Sequence, residues 1–151
     1  KRKYAYRVKR LFHSFDDSRI KFFDAKPLEE YAEFYSWLDL SLAYVEHNVF
    51  NKCKSEIKVI EPAYFGVPSV YMNWGGYKDM TENMPDELQH RHTAMNHELA
   101  RPWVEAISYW IENPKEREAY GQKLKAWVEA EYDINAKIDE RVEFYDGLLE
   151  S

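Results

Sequence analysis

Lys54, Ser55, Lys58 and Glu61 fall at short spacing in the run Val49-Phe50-Asn51-Lys52-Cys53-Lys54-Ser55-Glu56-Ile57-Lys58-Val59-Ile60-Glu61. On a helix turning ~100° per residue, Lys58 falls about 40° from Lys54 and Glu61 about 20° to its other side, so the three share one stripe. Ile57, Ile60 and Tyr64 fall roughly 60–120° away and are expected to form the buried face. The stripe begins at the expected helix N-terminus, where unpaired backbone N–H groups and the helix dipole already attract negative charge. Lysines added there favour a phosphate or a diphosphate. Lys58 and Glu61, three residues apart, also fit a solvated surface pair contributing about a few tenths of a kcal/mol.

The run continues through Pro62-Ala63-Tyr64-Phe65 into Gly66-Val67-Pro68 and the apolar Ser69-Val70-Tyr71. Phe50-Asn51-x-x-Lys54-Ser55-x-x-Lys58-x-x-Glu61 followed by Gly66-Val67-Pro68 resembles the donor-binding half of the GT-B glycosyltransferases, closest to their group-1 branch. The resemblance implies a Rossmann-like domain against which a UDP- or GDP-linked sugar lies. It implies that Lys58 and Glu61 are the catalytic pair. Lys54 and Lys58 would contact diphosphate, with Glu61 accepting hydrogen bonds from the ribose hydroxyls. It also adds Phe50, Asn51 and Ser55 to the substrate-binding set. Many relatives carry a first glutamate eight positions before the second, where this chain has Cys53, so a role for that glutamate does not carry over.

These residues need a scaffold, and the flanking segments read as β-α-β. Ile20–Asp24 is a short strand candidate, Leu38–Tyr44 a second and Ser69–Met72 a third. A helix is expected to start at Pro27, with Leu28, Tyr31, Phe34 and Tyr35 on its apolar face. Strands separated by helices imply an α/β fold with a parallel sheet, and such sheets bind ligands beyond their carboxyl ends. The loop 45–51 leaves the second strand at that edge, which makes His47 a candidate ligand contact. The turn Asn73–Asp79 leaves the third strand at the same edge and adds Gly75, Gly76 and Tyr77, paired glycines permitting close backbone approach. The strand that follows this loop in related transferases is hard to find, and 84–92 reads as helical or irregular. Further helices are expected over Tyr4–Phe15, over Trp103–Ile111 with Trp103, Ile107 and Ile111 as its apolar face, over Pro114–Ala130 and over Ile134–Leu149.

The chain has 151 residues, enough for one cored domain and too few for two Rossmann-like domains, and residue 1 is not methionine. The expectation is a single domain, 1–151, from a longer two-domain protein whose N-terminal domain receives the acceptor. The hydrophobic fraction of 45% and aromatic fraction of 17% argue against disorder. A net charge of −6, from 27 acidic against 21 basic residues, disfavours nonspecific nucleic-acid binding despite the basic start Lys1-Arg2-Lys3, Arg7, Lys9 and Arg10. The single cysteine, Cys53, rules out an intramolecular disulfide and fits a reducing, cytoplasmic compartment. No apolar run reaches the ~20 residues of a membrane span.

Other constellations offer less. His90, His92, His97 and Glu98 lack zinc-type spacing, so no metal is expected. No base is assignable to Ser55 or Cys53 for nucleophilic catalysis. No cofactor is expected beyond the donor itself, whose diphosphate lysine charge would stabilise without an Asp-x-Asp metal pair. The alternatives are a noncatalytic binding or assembly module that keeps the fold, and a different phosphate-ligand enzyme on a Rossmann-like sheet. The lack of a G-x-G-x-x-G fingerprint weakens the latter.

Overall fold

The computed structural model describes residues 17–96 and 99–149. The expected helix over Tyr4–Phe15, the basic start of the chain, and His97 with Glu98 lie outside the described residues. By internal contacts the chain divides into two units, Lys1–Ala32 and Glu33–Ser151.

In the first unit a 3-10 turn, Asp17–Arg19, is followed by irregular chain and a one-turn helix α1 (Leu28–Tyr31) directly after Pro27. The strand expected over Ile20–Asp24 is not formed. A strand needs a ladder partner, and this segment has none among the described residues; Phe22 and Phe23 are both exposed.

A 3-10 stretch, Ala32–Trp37, begins at the last residue of the first unit, and in the second it leads to β1 (Ser41–Ala43). Then follow α2 (Val49–Lys52), α3 (Ile57–Tyr64), β2 (Ser69–Met72) and α4 (Gly76–Asn83). A two-residue strand, β3 (Ala94–Met95), and helices α5 (Ala100–Glu112), α6 (Pro114–Glu131) and α7 (Ile134–Leu149) complete it. The strands pair in parallel in the order β1-β2-β3, with Ser41 opposite Ser69 and Tyr71 opposite Ala94. This is the expected α/β, Rossmann-like sheet with flanking helices and a helical tail. β3 is the strand that sequence reading could not find, because only two residues pair there. The segment before it holds one 3-10 turn, Asp86–Leu88.

β2 is the centre of the core, buried along all four residues, as an apolar strand covered on both faces must be. Trp110 of α5 is fully buried, and its indole N–H reaches the His92 carbonyl at 2.8 Å. The expected α5 face is therefore shifted: Ala106 and Trp110 are buried, Trp103 and Ile107 are partly buried, and Ile111 is exposed. In α3 the buried residues are Val59, Ile60, Pro62 and Ala63, whereas Ile57 and Tyr64 are exposed. At ~100° per residue the four buried residues span one arc of the helix, and Ile57 and Tyr64 fall together beyond its edge. Gly66, at φ 73°, turns the chain into β2 through the left-handed conformation that glycine tolerates. A Cβ on Gly121 of α6 would collide with the Gly66 carbonyl oxygen, so α3 and α6 meet backbone to backbone there.

Candidate functional site

A cavity of about 380 Å³ opens beyond the carboxyl end of β1. Tyr44, Val45 and Glu46, which leave β1, form one wall. Asn51, Lys54 and Ser55 form the next, and Ile57 and Lys58 add the first turn of α3. Tyr77, in the first turn of α4, closes the floor; the residue is 1% exposed. Burial, with the Glu56 carboxylate as a lesser cause, pushes the Tyr77 phenol above its usual range, so it stays neutral.

The sequence builds this wall locally. Asn48 caps α2 by accepting the Asn51 N–H at 2.8 Å, and the Asn51 amide donates to the Glu46 carbonyl at 2.9 Å. Asn51 is thereby buried and works as a clamp on the β1 exit rather than as an open ligand group. Asn48 also donates to Glu46 Oε2 at 3.1 Å, holding that carboxylate at the cavity's edge. The loop after β2 is tied to the same clamp. His47 stacks on Trp74 with ring centroids 4.5 Å apart, and the Trp74 indole N–H points at the Asn48 carbonyl at 3.5 Å.

The paired glycines act from behind. Gly75 has φ 58°, and a Cβ there would lie 2.6 Å from the Lys52 carbonyl oxygen. A Cβ on Gly76 would lie 2.7 Å from the Lys54 carbonyl oxygen. Only residues without a Cβ let the β2 exit turn rest on the backbone of the lysine loop. Gly75 and Gly76 thus shape the wall without lining it.

Lys54 lies in the loop before α3, not on the helix, because α3 begins at Ile57. The expected stripe is split accordingly. Lys54 and Lys58 still reach one cavity, since the loop folds across the first turn of α3. Glu61 is absent from that lining, and its Oε2 accepts the Tyr35 hydroxyl at 2.6 Å. Phe50 is 76% exposed, with the Lys54 ammonium 5.0 Å from its ring centroid. Among the described residues neither Lys54 nor Lys58 is in an ion pair, which leaves both ammonium groups available to an anion.

The structure therefore brings together Asn51, Lys54, Ser55, Lys58 and Tyr77, and sets His47, Phe50, Gly75 and Gly76 beside them. It places Glu61 elsewhere. Tyr44, Val45, Glu46 and Trp74 were missed in the sequence, although each follows a strand at the edge where ligands bind. Cys53 is exposed, its thiol 3.6 Å from the Val49 carbonyl. Among the described residues no group of three or more metal-ligating side chains gathers, and no helix is long and apolar enough to cross a membrane.

A sequence profile of the family described as "Glycosyl transferase-like" matches residues 4–143 of the chain. No curated protein and no solved structure matches it.

Proposed function

The chain belongs to the glycosyl transferase-like family, and from that premise we propose that the lysine cavity holds the diphosphate of a UDP- or GDP-linked sugar for transfer to an acceptor hydroxyl. The observation that carries this reading is the convergence of Lys54 and Lys58, unpaired among the described residues, on one cavity beyond β1. As the glycosidic bond breaks, negative charge builds on the departing nucleoside diphosphate. Two ammonium groups and the first N–H groups of α3 stabilise that charge where it develops. Ser55 adds a hydroxyl donor to the same wall, and Tyr77 a neutral floor.

On this reading the domain is the donor half of a group-1, GT-B transferase acting in the cytoplasm. The acceptor and the general base that activates it belong to a second domain, so this chain alone binds donor and transfers little. The ribose contact implied for Glu61 requires the nucleoside to reach past the cavity lining, where the carboxylate keeps acceptor capacity beside its bond from Tyr35. The test is sugar transfer from UDP- and GDP-sugars by the chain joined to its parent polypeptide. Activity that falls at least about tenfold in Lys54→Ala and in Lys58→Ala supports the reading. Activity indifferent to both substitutions refutes it.

The second reading is a noncatalytic assembly module that retains the fold. One observation favours it: Ile134, Ile138, Val142, Tyr145 and Leu149 are all exposed and fall within about 80° of one another on α7. A folded parent protein that transfers no sugar from any donor would select it.

A further inference from the structure

We propose that the cleft at the far end of α4 is a subsite for a neutral saccharide, with the Trp127 and Tyr132 rings taking a sugar face and Asn83 and Glu131 taking its hydroxyls. The cleft has a volume of about 410 Å³ and is lined by Asn83, Pro85, Trp127, Glu131 and Tyr132. That volume lies in the roughly 300–1,000 Å³ range of small-molecule sites.

The chemistry of the lining is specific. Trp127 and Tyr132 stand edge to face, with centroids 5.3 Å apart and planes at 72°. One ring can therefore offer its face to the C–H side of a pyranose while the other borders its rim. Apolar rings with polar edges suit a ligand that is itself apolar on its faces and hydroxylated around its circumference. Among the described residues the Trp127 indole N–H and the Tyr132 hydroxyl make no hydrogen bond, and both residues line the cleft. The Asn83 amide nitrogen donates to the Asp79 carbonyl at 2.8 Å, which fixes the amide and leaves its oxygen as acceptor. Glu131 is held by Lys137 at 3.3 Å, and Lys137 is shared with Glu140 at 3.4 Å. The lining thus offers donors and acceptors, as vicinal hydroxyls require. Burial, with the Glu56 and Glu131 carboxylates, pushes the Tyr132 phenol up and keeps it a neutral donor. The carboxylate at the rim disfavours an anionic ligand.

Position connects the cleft to the family's chemistry. Tyr77 at the start of α4 floors the lysine cavity, and Asn83 at its end lines this cleft. Six residues of helix separate them by about 9 Å. A saccharide seated here would lie along the same helix as the donor cavity. The inference rests on family membership and on this cleft, not on nucleotide binding at the lysines.

The test is an NMR titration of the chain with neutral gluco-, manno- and xylo-oligosaccharides in turn, following the tryptophan indole N–H signals. Trp127→Phe assigns its signal and keeps an apolar ring in place. At least one saccharide should move the Trp127 signal saturably. Tyr132→Ala, read on the Trp127 signal, and Trp127→Phe, read by calorimetry with the same saccharide, should each weaken that binding about tenfold, and the surface change Glu131→Gln should weaken it too. UDP or GDP affinity should be the same in all three variants. No shift with any saccharide overturns the proposal, as does binding that the three substitutions leave intact. A Trp127 shift produced only by a proline-rich or cationic peptide overturns it as well. Loss of nucleotide binding in Lys54→Ala or Lys58→Ala variants speaks to the donor cavity alone.

Discussion

The Tyr35 hydroxyl donates to Glu61 Oε2 at 2.6 Å, so Lys58 and Glu61, three residues apart on α3, serve different surfaces. Lys58 faces the cavity beyond β1, and Glu61 ties α3 to the 3-10 stretch before β1. A part-buried hydrogen bond to a carboxylate contributes about 1.5–3 kcal/mol. Urea unfolding should find Tyr35→Phe and Glu61→Leu destabilised by about that amount, and the double variant by little more than either single one. Additive losses would show that the two side chains act independently.

The glycine pair makes a sharper demand. An alanine at Gly76 must push against the Lys54 carbonyl, and one at Gly75 must also hold φ 58° with its Cβ 2.6 Å from the Lys52 carbonyl oxygen. Strain of this kind costs on the order of 1–3 kcal/mol per site. Gly75→Ala and Gly76→Ala should lower the unfolding temperature and weaken nucleotide binding together, because the displaced backbone carries Lys54. Full nucleotide affinity in both variants would mean that the lysine loop does not depend on this contact.

A second glycine contact separates stability from function. Gly121→Ala places a methyl group on the Gly66 carbonyl at the α3–α6 seam, away from the cavity. Circular dichroism should record a loss of at least about 1–3 kcal/mol. The folded fraction should bind nucleotide normally.

Acid should loosen the seam between the β3 entry and the long helices. His90 lies beside Trp110, Tyr109 and Tyr120, with Glu116 Oε1 3.5 Å from its Nε2. Its Nδ1 accepts the His92 N–H at 3.3 Å. Burial lowers both histidines below the ordinary imidazole value of 6.5, with Arg91 pushing the same way and Glu116 opposing. Between the lowered folded pKa and 6.5 the unfolded chain binds more protons than the folded one. Stability from this source is complete above 6.5 and is lost as pH falls below it. The urea midpoint should drop on going from neutral to mildly acid buffer, and the drop should shrink in a His90→Gln, His92→Gln double variant. An unchanged slope in that variant would assign the acid sensitivity elsewhere.

Several elements could be read in the sequence because a local rule fixed them. Ser69–Met72 is an apolar run bounded by a proline turn, and it forms β2 over those residues. Pro114 opens α6, and Gly66 turns the chain out of α3, as their backbone preferences require. The cavity was legible in part, since Lys54, Ser55 and Lys58 follow a strand exit and precede a helix. Its wheel geometry was not, because a turn at 53–56 separates Lys54 from α3 and no periodicity reports where a loop folds back. β3 was hidden by its length of two residues. Glu61 was misplaced because its partner, Tyr35, lies 26 residues away, and no local pattern announces a contact at that range.

The most direct measurement is isothermal calorimetry of the chain with UDP and with GDP, repeated for Lys58→Ala. Saturable binding of at least one nucleotide is expected, weaker at higher salt, and reduced at least about tenfold in Lys58→Ala. No binding of either nucleotide, or equal affinity with and without the Lys58 ammonium, would contradict it.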